Sequence, residues 1–215
     1  HQPLVKELNA KLEQWQKSCA NSDAGNDYND SAKADSSATR PALRFGAIAD
    51  CQFANVPAQG ARHYRLAKEK LTTAVEHLNG ESLDFVIHLG DFIDRDWASF
   101  DVVGPIFRSL RAPGYHLLGN HDFSVKEARK GKVMDKLGMP ARYYDFAVKG
   151  WRFIVLDGNE LSTYAHPKGS RKDSASITYR EKLKEQPPTY CGGMGEAQIK
   201  WMVSRIVSAR DAGER

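Results

Sequence analysis

The chain predicts an α/β domain built on a sheet whose first strands run parallel, and two observations carry that reading. Between Leu43 and Leu137, apolar runs of strand length alternate three times with runs of helical period. Each of the three strand-like runs then ends in a short polar cluster, and an open parallel sheet binds its ligands beyond the carboxyl ends of its strands.

Composition sets the bounds. With 215 residues, 41% of them hydrophobic and 27% charged, the chain has the length and balance for one core with tails. A net charge of +4 is too mild to imply nucleic acid, and a surface that attracts small anions fits equally well. Cys19, Cys51 and Cys191 are scattered and odd in number, which argues against a disulfide framework and for a reducing, cytoplasmic setting. No apolar run approaches the ~20 residues that span a bilayer, so no membrane partner is expected. The chain starts at His1 rather than Met, as a processed or excised piece would.

In order along the chain, Leu4, Leu8, Leu12 and Trp15 fall at helical spacing, so residues 1–17 read as an amphipathic helix. Residues 18–41 are mostly Ser, Ala, Asn and Asp and read as a flexible linker closed by Pro41. The folded domain, 42–215, opens with a strand over Leu43–Ala49, followed by a helix from about Arg62 to Asn79 that Gly80 stops. The strand Phe85–Leu89, a helix near Ala98–Leu110, the strand Tyr115–Leu118 and a helix over Val125–Leu137 follow. Arg142–Val148 and Arg152–Leu156 then read as a hairpin around Lys149-Gly150-Trp151. His166–Pro188 reads as a long basic loop, a lid over an anionic substrate or an insertion. Glu196–Arg210 reads as an amphipathic helix with Ile199, Val203, Ile206 and Val207 apolar.

Three polar clusters follow the three strands: Asp50-Cys51-Gln52, Gly90-Asp91…Asp94-Arg95 and Gly119-Asn120-His121-Asp122. One such turn alone is an ordinary source of local hydrogen bonds. Three at consecutive parallel strand ends meet at one sheet edge, and their donors are hard oxygens: the carboxylates of Asp50 and Asp91 and the amides of Gln52 and Asn120. Such donors suit Mn(2+) or Mg(2+) better than zinc or copper. A carboxylate that bridges two ions, for which Asp91 is the candidate, holds them about 3.5–4 Å apart for in-line attack on phosphorus. The other polar residues read blandly. His88 and His116 alternate with apolar neighbours as hydrogen-bonded core or face residues, His63 and His77 sit on a helix surface, and Cys51 is a buried small residue. Arg62 and Arg65 are either phosphate contacts or solvated charges at a helix start.

The series D-x-Q, G-D-x-x-D-R and G-N-H-D resembles the calcineurin-like metallophosphoesterase superfamily. Gln52, the run Arg62-His63-Tyr64-Arg65 and the later Gly192-Gly193-Met194-Gly195…Gln198-Ile199-Lys200-Trp201 resemble, more narrowly, the manganese-dependent ADP-ribose/CDP-alcohol diphosphatases. The resemblance implies a four-layer α/β/β/α sandwich and two divalent ions, Mn(2+) preferred and Mg(2+) possible. Asp50, Gln52 and Asp91 would hold one ion, and Asp91 with Asn120 the other. His121 would stand by the leaving group as general acid, oriented by Asp94, and Arg95 would contact phosphate. The implied reaction is hydrolysis of the phosphoanhydride in a nucleotide-linked small molecule such as ADP-ribose or CDP-choline. A phosphomonoesterase or protein phosphatase on the same scaffold, or a non-catalytic scaffold, are the alternatives. The family's later histidine motifs do not occur in the expected place, and His166-Pro167 precedes the segment it would have to follow. The resemblance therefore also implies a domain truncated at the C-terminus, with weak metal binding and slow turnover.

Overall fold

The computed structural model describes residues 42–215, so the expected helix over 1–17 and linker over 18–41 lie outside the described residues. Three strands, β1 (Phe45–Ile48), β2 (Phe85–His88) and β3 (Gly114–His116), form a parallel sheet in the order β1-β2-β3. The register aligns Ile48 with His88 and His88 with His116. The crossovers are α1 (Leu66–Asn79) and α2 (Ser99–Arg108). Parallel strands need such crossovers, because a tight turn cannot return the chain to the same end of the sheet.

Side chains alternate across β2. Phe85 faces Phe153 at 4.7 Å and Phe146 at 5.2 Å between ring centroids, whereas His88 faces Phe107 of α2 at 6.0 Å. The residues at 146 and 153 belong to a separate antiparallel pair, β4 (Tyr144–Val148) and β5 (Trp151–Val155). One face of the parallel sheet is therefore covered by helices and the other by a second sheet, sealed by aromatic contacts that include Tyr115 stacked on Phe146 at 3.7 Å. Beyond the hairpin lies α6 (Glu196–Asp211), against β5. Helix, sheet, sheet and helix thus stack as expected.

The differences are local. The helix expected over Val125–Leu137 is two short ones, α3 (Glu127–Lys130) and α4 (Val133–Leu137), with a turn at Gly131. The hairpin turn is Lys149-Gly150, at φ 49° and 78°, and Trp151 already belongs to β5. Both central residues are left-handed, as a two-residue turn that matches strand twist requires. The stretch His166–Pro188 is not wholly loop, because Arg171–Glu181 forms α5. That helix lacks an apolar stripe, its buried residues being Asp173 and Ser176. Its signal was a cap: Ser170 Oγ accepts from the Asp173 N–H at 3.2 Å, and Asp173 accepts from the Gly169 N–H at 2.9 Å.

Helix α6 also docks on an unexpected side. Ile199 and Ile206 are 41% and 37% exposed, while Gln198 is fully buried and Ala209 nearly so. Gln198 is satisfied there, accepting from the Asp157 N–H at 2.7 Å and donating to the Asp157 carbonyl at 3.1 Å and to Glu160 at 2.7 Å. A buried amide with every bond made is as good a docking residue as an aliphatic one. No helix among the described residues is long and apolar enough to cross a membrane.

Candidate metal centre

The three clusters do meet. After β1 and β2 the chain runs on as two side-by-side loops: the Gln52 N–H donates to the Asp91 carbonyl at 2.9 Å and the Asp94 N–H to the Phe53 carbonyl at 3.0 Å. Asp50, Gln52 and Asp91 sit at φ 52°, 46° and 56°. Left-handed backbone at non-glycine residues costs on the order of 1 kcal/mol each and persists where the surroundings enforce it, most often at functional sites. Here it turns three side chains inward. Gln52 Nε2 lies 3.3 Å from Asp50 Oδ1 and 3.4 Å from Asp91 Oδ2, so both carboxylates close on one point.

The third cluster reaches the same point because two glycines let backbones touch. A β-carbon on Gly119 would stand 2.1 Å from Asp91 Oδ1, and one on Gly90, at φ 92°, would stand 2.7 Å from the Gly119 nitrogen. With no side chain between them, the His121 N–H donates to Asp91 Oδ1 at 2.8 Å. One oxygen of Asp91 is thereby fixed from the β3 turn while the other faces Gln52. Asn120 opens the short 3-10 turn His121–Phe123, and its amide does not cap that turn.

Asp122 holds this arrangement from beneath. It is fully buried and accepts from the backbone N–H groups of Asp91 at 3.1 Å, Phe92 at 2.8 Å, Ile93 at 3.3 Å and Gly119 at 2.9 Å. Burial pushes its carboxyl up to about 7 and the Asp91 charge adds to this, while the Gly119, Ile93 and Phe92 N–H groups pull the other way. Sequence reading placed Asp122 in the cluster without a role. Its signal was an acidic residue one position after the histidine, where only a side chain folded back under two turns can be fully satisfied.

Asp94, 4% exposed, works on a different partner. His121 Nδ1 lies 2.5 Å from Asp94 Oδ1, and Arg95 Nε donates to Asp94 Oδ2 at 3.0 Å. Arg95 is engaged further, with Nη2 donating to the Tyr64 hydroxyl at 3.3 Å and the guanidinium 5.2 Å from the centre of the Tyr64 ring. The two acids of the Gly90–Arg95 turn thus face different tasks, with Asp91 toward the oxygen donors and Asp94 toward the imidazole.

The donor set fits hard divalent cations. Among the described residues no three His, Cys, Asp or Glu side chains gather into a metal cage. The centre instead combines two carboxylates with the Gln52 amide, hard ligands for Mn(2+) or Mg(2+), and the Asn120 amide stands uncapped at the head of the β3 turn. Cys51 lies half-buried between two of them, and burial pushes its thiol up to about 12, so it stays protonated and inert. His88 and His116 are buried behind the site, with ring centroids 5.7 Å apart, but not fully hydrogen-bonded as expected: His88 Nδ1 accepts from the Gly90 N–H at 3.3 Å, while His88 Nε2 and His116 Nδ1 have no partner among the described residues. Burial pulls His88 down to about 3 and His116 to about 4. His63 and His77 are exposed. His166 is in a loop but buried, with Nε2 2.7 Å from the Glu160 carbonyl oxygen, far from the role of a ligand.

A second polar group, unforeseen from sequence, backs the β3 turn. Asn159 donates to the Leu118 carbonyl at 2.8 Å and accepts from the Tyr164 hydroxyl at 2.7 Å. Asp157, fully buried, pairs with Arg142 Nε at 2.6 Å, and the Arg142 guanidinium stacks 4.9 Å from the Phe123 ring centre.

Comparison with known proteins identifies the family. The family model described as calcineurin-like phosphoesterase matches residues 43–202, and the chain belongs to that family. Manganese-dependent ADP-ribose/CDP-alcohol diphosphatase of Arabidopsis thaliana is 29% identical over 84% of this chain and 68% of its own length. The Oryza sativa subsp. japonica protein of the same name is 30% identical over 81% and 64%, and the Homo sapiens one 28% identical over 74% and 59%. The chain thus spans about two thirds or less of the relatives it matches. A dimetal phosphatase from Danio rerio shares the fold, with a TM-score of 0.68 and 24% identity over 80% of this chain and 67% of that one.

Proposed function

We propose that this calcineurin-like phosphoesterase is a metal-dependent hydrolase of phosphoanhydride bonds in nucleotide-linked small molecules, ADP-ribose and CDP-choline-like CDP-alcohols being the substrates. The observation that carries the reading is the convergence of Asp50, Gln52 and Asp91 within 3.4 Å of one point, with the His121–Asp94 pair anchored to the same Asp91. The names of the relatives support the substrate class and the preference for manganese.

In this reading Asp50, Gln52 and Asp91 hold one divalent ion, and Asp91 with Asn120 the second. When bound, such a pair activates water near neutral pH and neutralises charge on phosphoryl oxygens. The chain's own residues do the rest. Asp91 is fixed by the His121 N–H, so its two oxygens keep separate directions. His121, held through Nδ1 by Asp94, presents Nε2 as the proton donor to the departing phosphate oxygen. Arg95 has donors left beyond Asp94 and Tyr64 for a phosphate oxygen. Two carboxylates and two amides make a shallow donor set, so weak metal binding and slow turnover by this chain remain the expectation. Cys51 and Cys191 are free, which supports a reducing, cytoplasmic setting.

The test is hydrolysis of ADP-ribose, CDP-choline and p-nitrophenyl phosphate with and without added manganese. Manganese-dependent release of nucleoside monophosphate at the highest kcat/KM is expected. A preference for the monoester would assign the site to phosphomonoester hydrolysis instead.

A further inference from the structure

His88 ends β2, and its ring reaches forward along the chain. The Gly90 N–H, two residues on, donates to His88 Nδ1 at 3.3 Å. A neutral imidazole that accepts at Nδ1 carries its proton on Nε2. That second nitrogen is buried with no partner among the described residues, on a side chain that is 0% exposed. Leaving a donor stranded in a core is costly, and a leucine at this position would fill similar space without stranding one. Packing alone therefore does not account for a histidine here. What the ring adds over a leucine is its one bond, to Gly90.

Gly90 is the residue from which both carboxylates of the centre are hung. Asp91 follows it in the chain, and the Gly90 carbonyl accepts from the Asp50 N–H at 3.3 Å. Gly90 and Asp91 sit at φ 92° and 56°, two left-handed residues in succession just past the end of the strand. Such backbone persists where its neighbours enforce it. Asp122 restrains the turn from the Asp91 side, and His88 restrains it from the Gly90 side. The ring has no room to swing away, since Phe92, His116 and Phe107 surround it with ring centroids 4.7, 5.7 and 6.0 Å from its own. Burial keeps it neutral, so Nδ1 stays available as an acceptor.

We infer that His88 is a positioning residue for the metal centre: through the Gly90 N–H it fixes the turn that aims Asp91 and Asp50 at one cation. The inference rests on the reading of that point as a metal centre. His88 touches neither carboxylate, so its effect is on where the ligands stand rather than on their charge. Groups that orient metal ligands in this indirect way commonly govern affinity by about ten- to a hundredfold.

The test is titration of Mn(2+), with the free ion read by electron paramagnetic resonance, against wild type, His88→Leu, His88→Asn and, as a control in the same core, His116→Leu. Each variant is also unfolded in urea. Asparagine is smaller than histidine but can place an acceptor oxygen where Nδ1 stands, whereas leucine fills the space and accepts nothing. His88→Leu should therefore weaken manganese by about ten- to a hundredfold while keeping its stability, and His88→Asn should bind within about threefold of wild type despite its smaller side chain. His116→Leu should stay within about twofold of wild type. Affinity that is unchanged in His88→Leu, equally weak in His88→Asn, or that follows stability across all three variants would overturn the assignment. In the metal-free chain, hydrogen exchange at the Gly90 amide should quicken by about tenfold or more in His88→Leu and stay near wild type in His88→Asn. If wild type binds no manganese, the metal-centre reading fails, while the exchange comparison still decides whether His88 holds Gly90.

Discussion

The parallel sheet and the hairpin half of the molecule are both rich in polar residues, and they use them in opposite ways. Beyond β1 and β2 the side chains of Asp50, Gln52 and Asp91 are at least partly exposed, turned by left-handed backbone, and aimed at one another across short gaps. Around β5 and α6 they are buried and mutually satisfied: Asp157, Asn159, Ser162 and Gln198 are between 0% and 5% exposed, and each makes a hydrogen bond. Asp50 and Asp91 put like charges close together with only the Gln52 amide between them, whereas Asp157 already has its arginine. Polarity at the end of a strand is thus no mark of chemistry by itself. What distinguishes the two regions is whether the bonding capacity has been used up.

The largest expected effect tests the first region. Asp91→Ala should abolish manganese-dependent hydrolysis, a loss of about a thousandfold or more, with the far-ultraviolet circular dichroism unchanged. Retained activity would move the centre elsewhere. Next, His121→Asn should lower kcat by about a hundredfold or more, the scale of a lost general acid. Asp94→Asn should lower it by a smaller factor of about ten to a hundred, since it acts through the imidazole. If the two variants fell equally, Asp94 would have a direct role.

The second region should respond in stability rather than rate. Gln198→Ala strands the buried N–H and C=O of Asp157 and should cost about 2–4 kcal/mol in a urea titration. A change under about 1 kcal/mol would show that the loop closes up without the amide.

The smallest effect concerns the two histidines between the regions. Folded His88 and His116 titrate near 3 and 4, below the ordinary value of 6.5, so the unfolded chain takes up their protons first as pH falls. Their contribution to stability is complete above pH 6.5 and is lost as pH drops toward 4, by up to about 1.4 kcal/mol per pH unit for each. His88→Leu should flatten the acid side of a plot of stability against pH. An unchanged slope would show that His88 is not buried neutral.

The elements differ in how far their residues foretold them. The strands and the two crossover helices were legible because an apolar run between turn residues admits few other foldings. The three oxygen-rich clusters were legible because polar residues at consecutive strand ends leave a local trace. Helix α5 was missed because nothing apolar marks it and its evidence is a single serine cap. The docking side of α6 was misjudged because burial followed the satisfied amide of Gln198 rather than the Ile199–Ile206 stripe.

By itself, then, the sequence determined the order of strands and helices, the three oxygen-rich clusters and their convergence on one edge, since period and spacing are local properties of a chain. Only the tertiary structure decided the rest. It turned Asp91 toward Gln52 and Asp94 toward His121, and it put Asp122 beneath both turns. It joined Asp122 to the Phe92 N–H, because hydrogen-bond partners some 30 residues apart are chosen by the approach of backbones at Gly90 and Gly119 rather than by any local pattern.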